Sequence, residues 1–586
     1  MSKSTESKSL PGKLTALVLS AMLLSACNTV ATRDEAEPSS DPHASLESAE
    51  SRILPNAELS PELLYYILVG EVAGQRGELA IAVQALLKAA EQTRDPRLAE
   101  RATQAAIYAR QFKEGSQAGQ LWTEIEPDNQ TAHESLATTL LELDQPARAQ
   151  LHLEQALQLA DQKNLLGTVF LRIGGMLSRQ KNRDAAMEVM QNLTVVYPKN
   201  PYAWLALAHL SVRADNLATA SQAASSALKH KPGWEDAALY KGRILIGQNE
   251  LDKAEQFYRS FLDDNPGASN VRLNYARFLV DRKQWERASK EFKRVIKSTP
   301  NDADAILAVG VLSVQAERLD DARKYLERHL ELKPDSDQAR LYLGQVADKR
   351  HDYETAIRWY EDISDPRFYL DAQTRAAISI ARHGNLDTAR DRLHKLVPEN
   401  DTQRSQIVLT EEQILREARQ FGEALKVLTA ALKESPDDTE IRYARALIAE
   451  KLDNLDMVEG DLRYILKKDP DNVHALNALG YTLADRTDRH QEALVLLKKA
   501  LLFKPDDAFV LDSMGWVQYR LGNYQEAVQY LKRALAIRND AEISAHLGEV
   551  LWIIGERKEA EHVWHRALKL TPDNESLQGV IRKFKQ

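Results

Sequence analysis

The sequence predicts an all-α chain: a superhelical solenoid of about fifteen stacked helix pairs, preceded by an export signal and a flexible tether. Two observations carry the solenoid. Alanines recur at Ala186, Ala220, Ala254, Ala288, Ala322 and Ala356, always 34 residues apart. Pro198, Pro232, Pro266, Pro300 and Pro334 follow the first five of them at one constant offset, and the small residues Gly174, Ala208, Gly242, Ala276, Gly310 and Gly344 precede all six at the same offset. A third observation bounds the answer. The chain has 586 residues, 44% apolar and 28% charged, which suits about four ordinary domains or one long array, folded rather than disordered.

The first element, residues 1–26, reads as a secretory signal. Lys3, Lys8 and Lys13 precede the apolar run Leu14–Leu24. Eleven residues of helix rise about 16 Å against a hydrocarbon core of about 30 Å, so the run is too short to span and fits a signal's apolar region. Leu24-Ser25-Ala26-Cys27 follows, and this resembles the lipobox of bacterial lipoproteins. In that family the cysteine sulfur takes a diacylglycerol, cleavage falls just before the cysteine, and a further acyl chain joins the new amino group. Cys27 is the one cysteine, which excludes an intrachain disulfide, a thiolate zinc cluster and an iron–sulfur site. The bland alternative is a secreted protein with an incidental thiol. Asn28, where an Asp would retain such a protein in the inner membrane, implies the periplasmic face of a Gram-negative outer membrane. No other stretch approaches eighteen apolar residues, so the acyl chains on Cys27 are the expected anchor, each methylene worth about 0.8 kcal/mol. No other cofactor is expected.

Residues 27–60 form the next element, a lipidated cysteine and acidic tether. Six acids and one base lie between Arg33 and Ser51. With little to bury, such a segment stays mobile, its ends roughly 30 Å apart as a flexible coil.

From residue 61 the repeat takes over, divided by its irregularities into arrays at 61–368 and 369–574 with a capping tail at 575–586. With slips of one to three residues the alanine frame extends to Ala82, Gly115 and Ala149 upstream, and to Ala389, Ala424, Val458, Ala493, Ala527 and Ala560 downstream. Each unit reads as two amphipathic helices joined by a short polar turn, as in the run from Leu511 through Gly522-Asn523 to Leu531. The small residues mark close helix approach, larger neighbours fill the space between units, and the proline ends the second helix. Three extra residues near Asp161–Leu166, and irregular stretches at Ser364–Asp371 and Pro398–Thr410, read as bends or joints. This pattern resembles the tetratricopeptide repeat over nearly the whole mature chain.

Chemistry is hard to find in this sequence. There is no HExxH, P-loop, glycine-rich dinucleotide fingerprint or GxSxG elbow. His562 and His565 have no third ligand nearby in sequence, so no metal site is expected. Lys+Arg 77 against Asp+Glu 86 gives a net charge of −9, which argues against a nucleic-acid partner. The expectation is a binding protein and not an enzyme. The repeat frame puts Phe509, Asp512, Trp516 and Tyr519 on the concave surface, with Tyr481 and Trp552 at matching places in the flanking units. Exposed aromatics there suggest partner contact; the alternative is packing on neighbouring helices or on the tail Asn574–Gln586. The middle units place Tyr240, Arg243, Asn274, Arg277 and Tyr342 on the same surface. Asn274 resembles part of a carboxylate clamp, without the rest of that set.

One resemblance is narrower. Leu63-Leu64-Tyr65-Tyr66-Ile67-Leu68-Val69-Gly70-Glu71-Val72-Ala73-Gly74-Gln75-Arg76-Gly77, then Ala80-Ile81-Ala82 and Asp95-Pro96-Arg97-Leu98-Ala99-Glu100-Arg101-Ala102, together with the lipobox and unit number, are similar to the outer-membrane lipoprotein partner of a periplasmic carboxyl-terminal processing protease. The resemblance implies an adaptor that assembles this serine protease in active form and brings it substrates, notably murein endopeptidases that cut peptidoglycan cross-links. The alternative function is a lipoprotein scaffold for an envelope assembly or exopolysaccharide-export machine.

Overall fold

The computed structural model describes Pro55 and residues 57–585. The signal, Cys27 and nearly all of the tether lie outside the described residues. Among the described residues there are 31 helices and no strand, in fifteen consecutive pairs with one terminal helix, Glu575–Lys585. They form two compact units, residues 57–312 and 313–585. No described helix is long and apolar enough to cross a membrane.

The repeat frame maps onto the helices in one fixed register. Its fifteen members are the fourth residue of the fifteen second helices, from Ala82 in Leu79–Thr93 through Ala254 in Leu251–Asp264 to Ala560 in Arg557–Leu570, and every one is buried. The small residue of the first helix has an equally specific task. Where it is glycine it is often the eighth residue, and the eighth side chain of the second helix lies directly on it. An added Cβ would sit 2.1 Å from the Tyr258 hydroxyl at Gly242, 2.3 Å from the Tyr360 ring at Gly344, 2.5 Å from Leu531 at Gly515 and 1.9 Å from the Trp564 indole nitrogen at Gly548. Small and large therefore interlock within a unit, which is how such interiors reach crystal-like density. Ala254 has no exposed surface. Ala254→Leu is expected to cost about 1–3 kcal/mol by overpacking, and a melting curve matching the parent would contradict this register.

Turn chemistry repeats as well. Within a unit the first helix ends in a Schellman motif: after Pro201–Arg213, the N–H of Asp215 donates to Val212 O (3.1 Å) and that of Asn216 to Ser211 O (2.8 Å). The residue at the Asp215 place is left-handed in most units, with φ of 58° at Asp215 and Asn249 and 83° at Gly522. Asn or Asp then often caps the next helix, as Asn216 does through Thr219 N–H at 3.1 Å. The repeat prolines stand two residues past their helices, as Pro266 does after Asp264.

The irregular stretches are changes of helix length. The three extra residues near Asp161 extend Pro146–Gln162 to 17 residues. Ser364–Asp371 and Pro398–Thr410 contain the starts of two long first helices, Pro366–Arg382 and Asp401–Glu417, each after a second helix of only 9 residues, Tyr353–Glu361 and Leu386–His394. At the C-terminal end Glu575–Lys585 lays Leu577, fully buried, with Val580, Ile581 and Phe584 against Trp552 and Trp564.

Candidate partner-binding surface

The residues expected on the concave surface come from first helices, and the structure divides them sharply. In the last three units Tyr481 belongs to Val473–Arg486, Phe509, Asp512, Trp516 and Tyr519 to Ala508–Arg520, and Trp552 to Ala541–Ile553. Trp516 and Asp512 are not solvent-facing: they are 7% and 6% exposed. The Trp516 ring stacks 4.2 Å from His546 and its N–H donates to Asp485 Oδ1 at 3.0 Å. His546 Nδ1 lies 3.0 Å from both oxygens of Asp512. Burial alone would push the imidazole down, but the Asp512 carboxylate and its hydrogen bond, helped by Glu542, hold it above its ordinary value. Glu542 is itself pushed up, by burial.

The reason for the difference is winding. The Tyr481 ring reaches within 6.0 Å of His546, two units further on, so these inner positions fill one another's space. Tyr519 donates to Glu549 at 3.3 Å, Lys583 of the terminal helix donates to the same carboxylate at 2.9 Å, and burial with Glu549 pushes the Tyr519 phenol up to about 12. Trp552 stacks 5.7 Å from Trp564 and lies 6.2 Å from the tilted ring of Phe584, so the tail covers it in part. Of this set Phe509 alone is well exposed, at 46%, with the Arg538 guanidinium 4.8 Å over its ring.

The middle units are more open. Arg243 is exposed, and Tyr240 is half-buried with its ring 4.0 Å from that of His209. Asn274 spends its amide N–H within its own helix, on Asn270 O at 2.9 Å, and Arg277 lies 3.6 Å from Asp304. Tyr342 is buried, and burial pushes its phenol up to about 12. Sequence reading did not single out His209, whose ring lies against Tyr240. His209 is the ninth residue of Pro201–Arg213, the place Arg243 and Arg277 take in their own first helices, so the repeat frame contained the signal.

His562 and His565 are both exposed, and His565 Nδ1 lies 2.7 Å from Glu561 O. Among the described residues no three His, Cys, Asp or Glu side chains are grouped to hold a metal ion.

Models described as "Tetratricopeptide repeat" match residues 205–269, 310–367, 413–456 and 513–575, and others of that description match 245–309 and 475–540. The chain is also 38% identical over 542 residues, 92% of its length and 90% of the relative's, to "TPR repeat-containing protein PA4667" of Pseudomonas aeruginosa. It belongs to the tetratricopeptide-repeat proteins. Among solved structures, this TPR protein is similar to a thermophilic TPR protein of Thermus thermophilus (27% identity, 30% of this chain and 94% of that one, TM-score 0.27). It is also similar to a chain of the APC/C hetero-tetramer Cut9–Hcn1 (17% identity, 90% and 97%, TM-score 0.32). The repeats make the molecule a scaffold for protein–protein interaction.

Proposed function

We propose that this TPR protein is a lipid-anchored adaptor on the periplasmic face of the outer membrane, one that binds a carboxyl-terminal processing protease and delivers murein endopeptidases to it. The sequence block that bears the resemblance supports this reading through what it builds. Leu63–Gln75 lies in the first helix, Pro61–Gln75, and that helix is apolar on both sides. Leu63, Gly70 and Ala73 are buried, while Leu64, Tyr65, Leu68 and Val72 are 41%, 61%, 53% and 44% exposed. A solenoid end ordinarily carries a polar outer face, and a contiguous exposed apolar one supports protein contact. Two partners on one scaffold meet at a local concentration that free diffusion does not supply.

The test is co-purification. Full-length protein is expected to retain the protease, and Leu68→Glu to weaken that capture by about tenfold or more through burial of an unpaired charge. Endopeptidases should accumulate in a deletion strain. Failure to retain the protease, with lost polymer secretion instead, would transfer the protein to an export scaffold. Cys27→Ser is expected to move the protein from the membrane to the soluble fraction on cell fractionation, and persistence on the membrane would contradict the anchor.

A further inference from the structure

The last three units end their second helices alike. His490–Phe503, Tyr524–Ile537 and Arg557–Leu570 each finish on an exposed apolar residue: Phe503, Ile537 and Leu570 are 45%, 53% and 63% exposed, and Leu502 beside the first is 78% exposed. Single exposed apolar side chains are ordinary. Elsewhere in the array this last place holds them singly, at Val196 and Leu332, and holds Asp264, Ser298, Glu434 and Lys468 in other units. Here they recur in three units running. The three helix ends adjoin. Leu501 and Leu535, two residues before Phe503 and Ile537, pack on one buried cluster with Ala508 and Leu511, and Leu535 shares a second with Leu568, two residues before Leu570. Arg533 donates to Pro505 O at 3.3 Å, in the turn that follows Phe503. Arg538, next after Ile537, lies 4.8 Å over the Phe509 ring, so that exposed ring belongs to the same edge.

Charge is sorted along this edge as well. Residues 495–504, 529–538 and 562–571, which run through the three helix ends, hold three, three and two Lys and Arg and no Asp or Glu. The matching stretches 256–265 and 460–469 hold two acids each, in a chain whose net charge is −9. Cations suit the negative end of a helix, which accounts for their place but not for the missing acids or the apolar neighbours. Acids return in the turns beyond, where Asp506 and Asp540 face Arg533 and Arg538 at 3.7 Å and 3.6 Å. Lys499 and Lys532 are paired with Asp471 and Glu559 at 2.8 Å. Lys498, Lys504, Arg566 and Lys569 are exposed and make no ion pair or hydrogen bond among the described residues.

Each apolar tip stands next to a cation in sequence: Phe503-Lys504, Ile537-Arg538 and Lys569-Leu570. Apolar tips and free cations at one level match the boundary of an anionic bilayer, where acyl chains begin directly beneath the phosphates. Long cationic side chains reach the phosphates there while their stems stay in apolar surroundings. We propose that the edge formed by Leu502, Phe503, Phe509, Ile537 and Leu570, with Lys498, Lys504, Arg566 and Lys569 around it, is a docking surface for an anionic lipid bilayer. It rests the C-terminal units on the membrane surface without spanning it.

The docking surface is independent of the protease reading, and its assay contains lipid and no protease. Full-length Cys27→Ser protein has no native thiol, so a nitrobenzoxadiazole dye on Leu502→Cys reports on this edge alone, whatever the N-terminus does. It is titrated with vesicles of equal parts phosphatidylglycerol and phosphatidylcholine. The expected result is a brighter, blue-shifted dye, with a smaller change on phosphatidylcholine alone and none for the dye on Lys467→Cys, the matching place in the preceding unit. Changing Lys498, Lys504 and Lys569 together to Gln should weaken the binding read by the Leu502 dye about a hundredfold, roughly fivefold per cation. Added salt should weaken the parent likewise. Phe503→Ser with Ile537→Ser and Leu570→Ser should abolish the shift. If circular dichroism shows that apolar triple to be unfolded, the lysine triple, changed at exposed positions alone, decides. An unmoved Leu502 dye, equal binding by the lysine triple, or an equal shift from the Lys467 position overturns the surface. A Leu502 dye that ignores vesicles and shifts with an acidic amphipathic peptide makes the edge a protein-docking surface and overturns the lipid assignment.

Discussion

Trp564→Ala is expected to unravel the C-terminal end of the array, at a cost of about 3–5 kcal/mol. Trp564 is 1% exposed and lies directly over Gly548, where a Cβ would stand 1.9 Å from the indole nitrogen. Its ring stacks 5.7 Å from Trp552 and 6.2 Å from Phe584, so one side chain joins both helices of the last unit to the terminal helix. Because a solenoid is stabilised by nearest neighbours, the loss should be local. Hydrogen exchange is expected to show protection lost over 541–585 while Leu251–Asp264 and its neighbours keep theirs. The glycine supplies the control. Gly548→Ala should cost about 1–3 kcal/mol in the parent and much less beside Trp564→Ala, since the atom it collides with has gone. Additive costs would show that the two positions do not interlock.

The second large effect is electrostatic. Asp512→Ala leaves His546, 7% exposed, without its carboxylate, and should destabilise the C-terminal units by about 3–5 kcal/mol. The pair also gives a pH dependence with a definite sign. The folded imidazole is held above its ordinary value of about 6.5, against burial, by Asp512 and Glu542. A group raised on folding contributes its full stability below the unfolded value and loses it as pH rises through the folded one. Glu542, raised by burial, acts in the same direction over a more acidic range. Denaturation midpoints between about pH 6 and 9 are therefore expected to fall for the parent and to stay flatter for His546→Gln. Parallel slopes for the two proteins would remove His546 as the source.

Much of the fold was legible because small residues cannot be replaced where helices meet. The alanine frame placed the fourth residue of all fifteen second helices, and the prolines located the ends of several. Glu412 shows the limit. It takes the small-residue place in the long helix Asp401–Glu417 and is buried there, with Arg416 one turn on donating to it at 2.7 Å; the i,i+4 spacing is legible but the burial of the carboxylate is not. The same holds for Asp461, which accepts from Arg442 at 2.9 Å and Arg445 at 2.8 Å in the interior. Neither carboxylate belongs to the small-residue pattern that carries the fold, so that pattern gives no sign of either pair.

The candidate surface was legible in half. The frame assigned these residues to their first helices, where Tyr240 is half-buried and Arg243 exposed. It did not reveal that Trp516, Asp512 and Tyr342 are enclosed.

From the sequence alone come the helix pairs, their number, their register and the interlocking of small with large, since each depends on contacts within one unit or between neighbours, and those repeat every 34 residues. Only the tertiary structure decided which inward-facing side chains meet water. That depends on how small rotations accumulate from unit to unit until helices two units apart touch, as Tyr481 and His546 do, and no local pattern encodes such a sum.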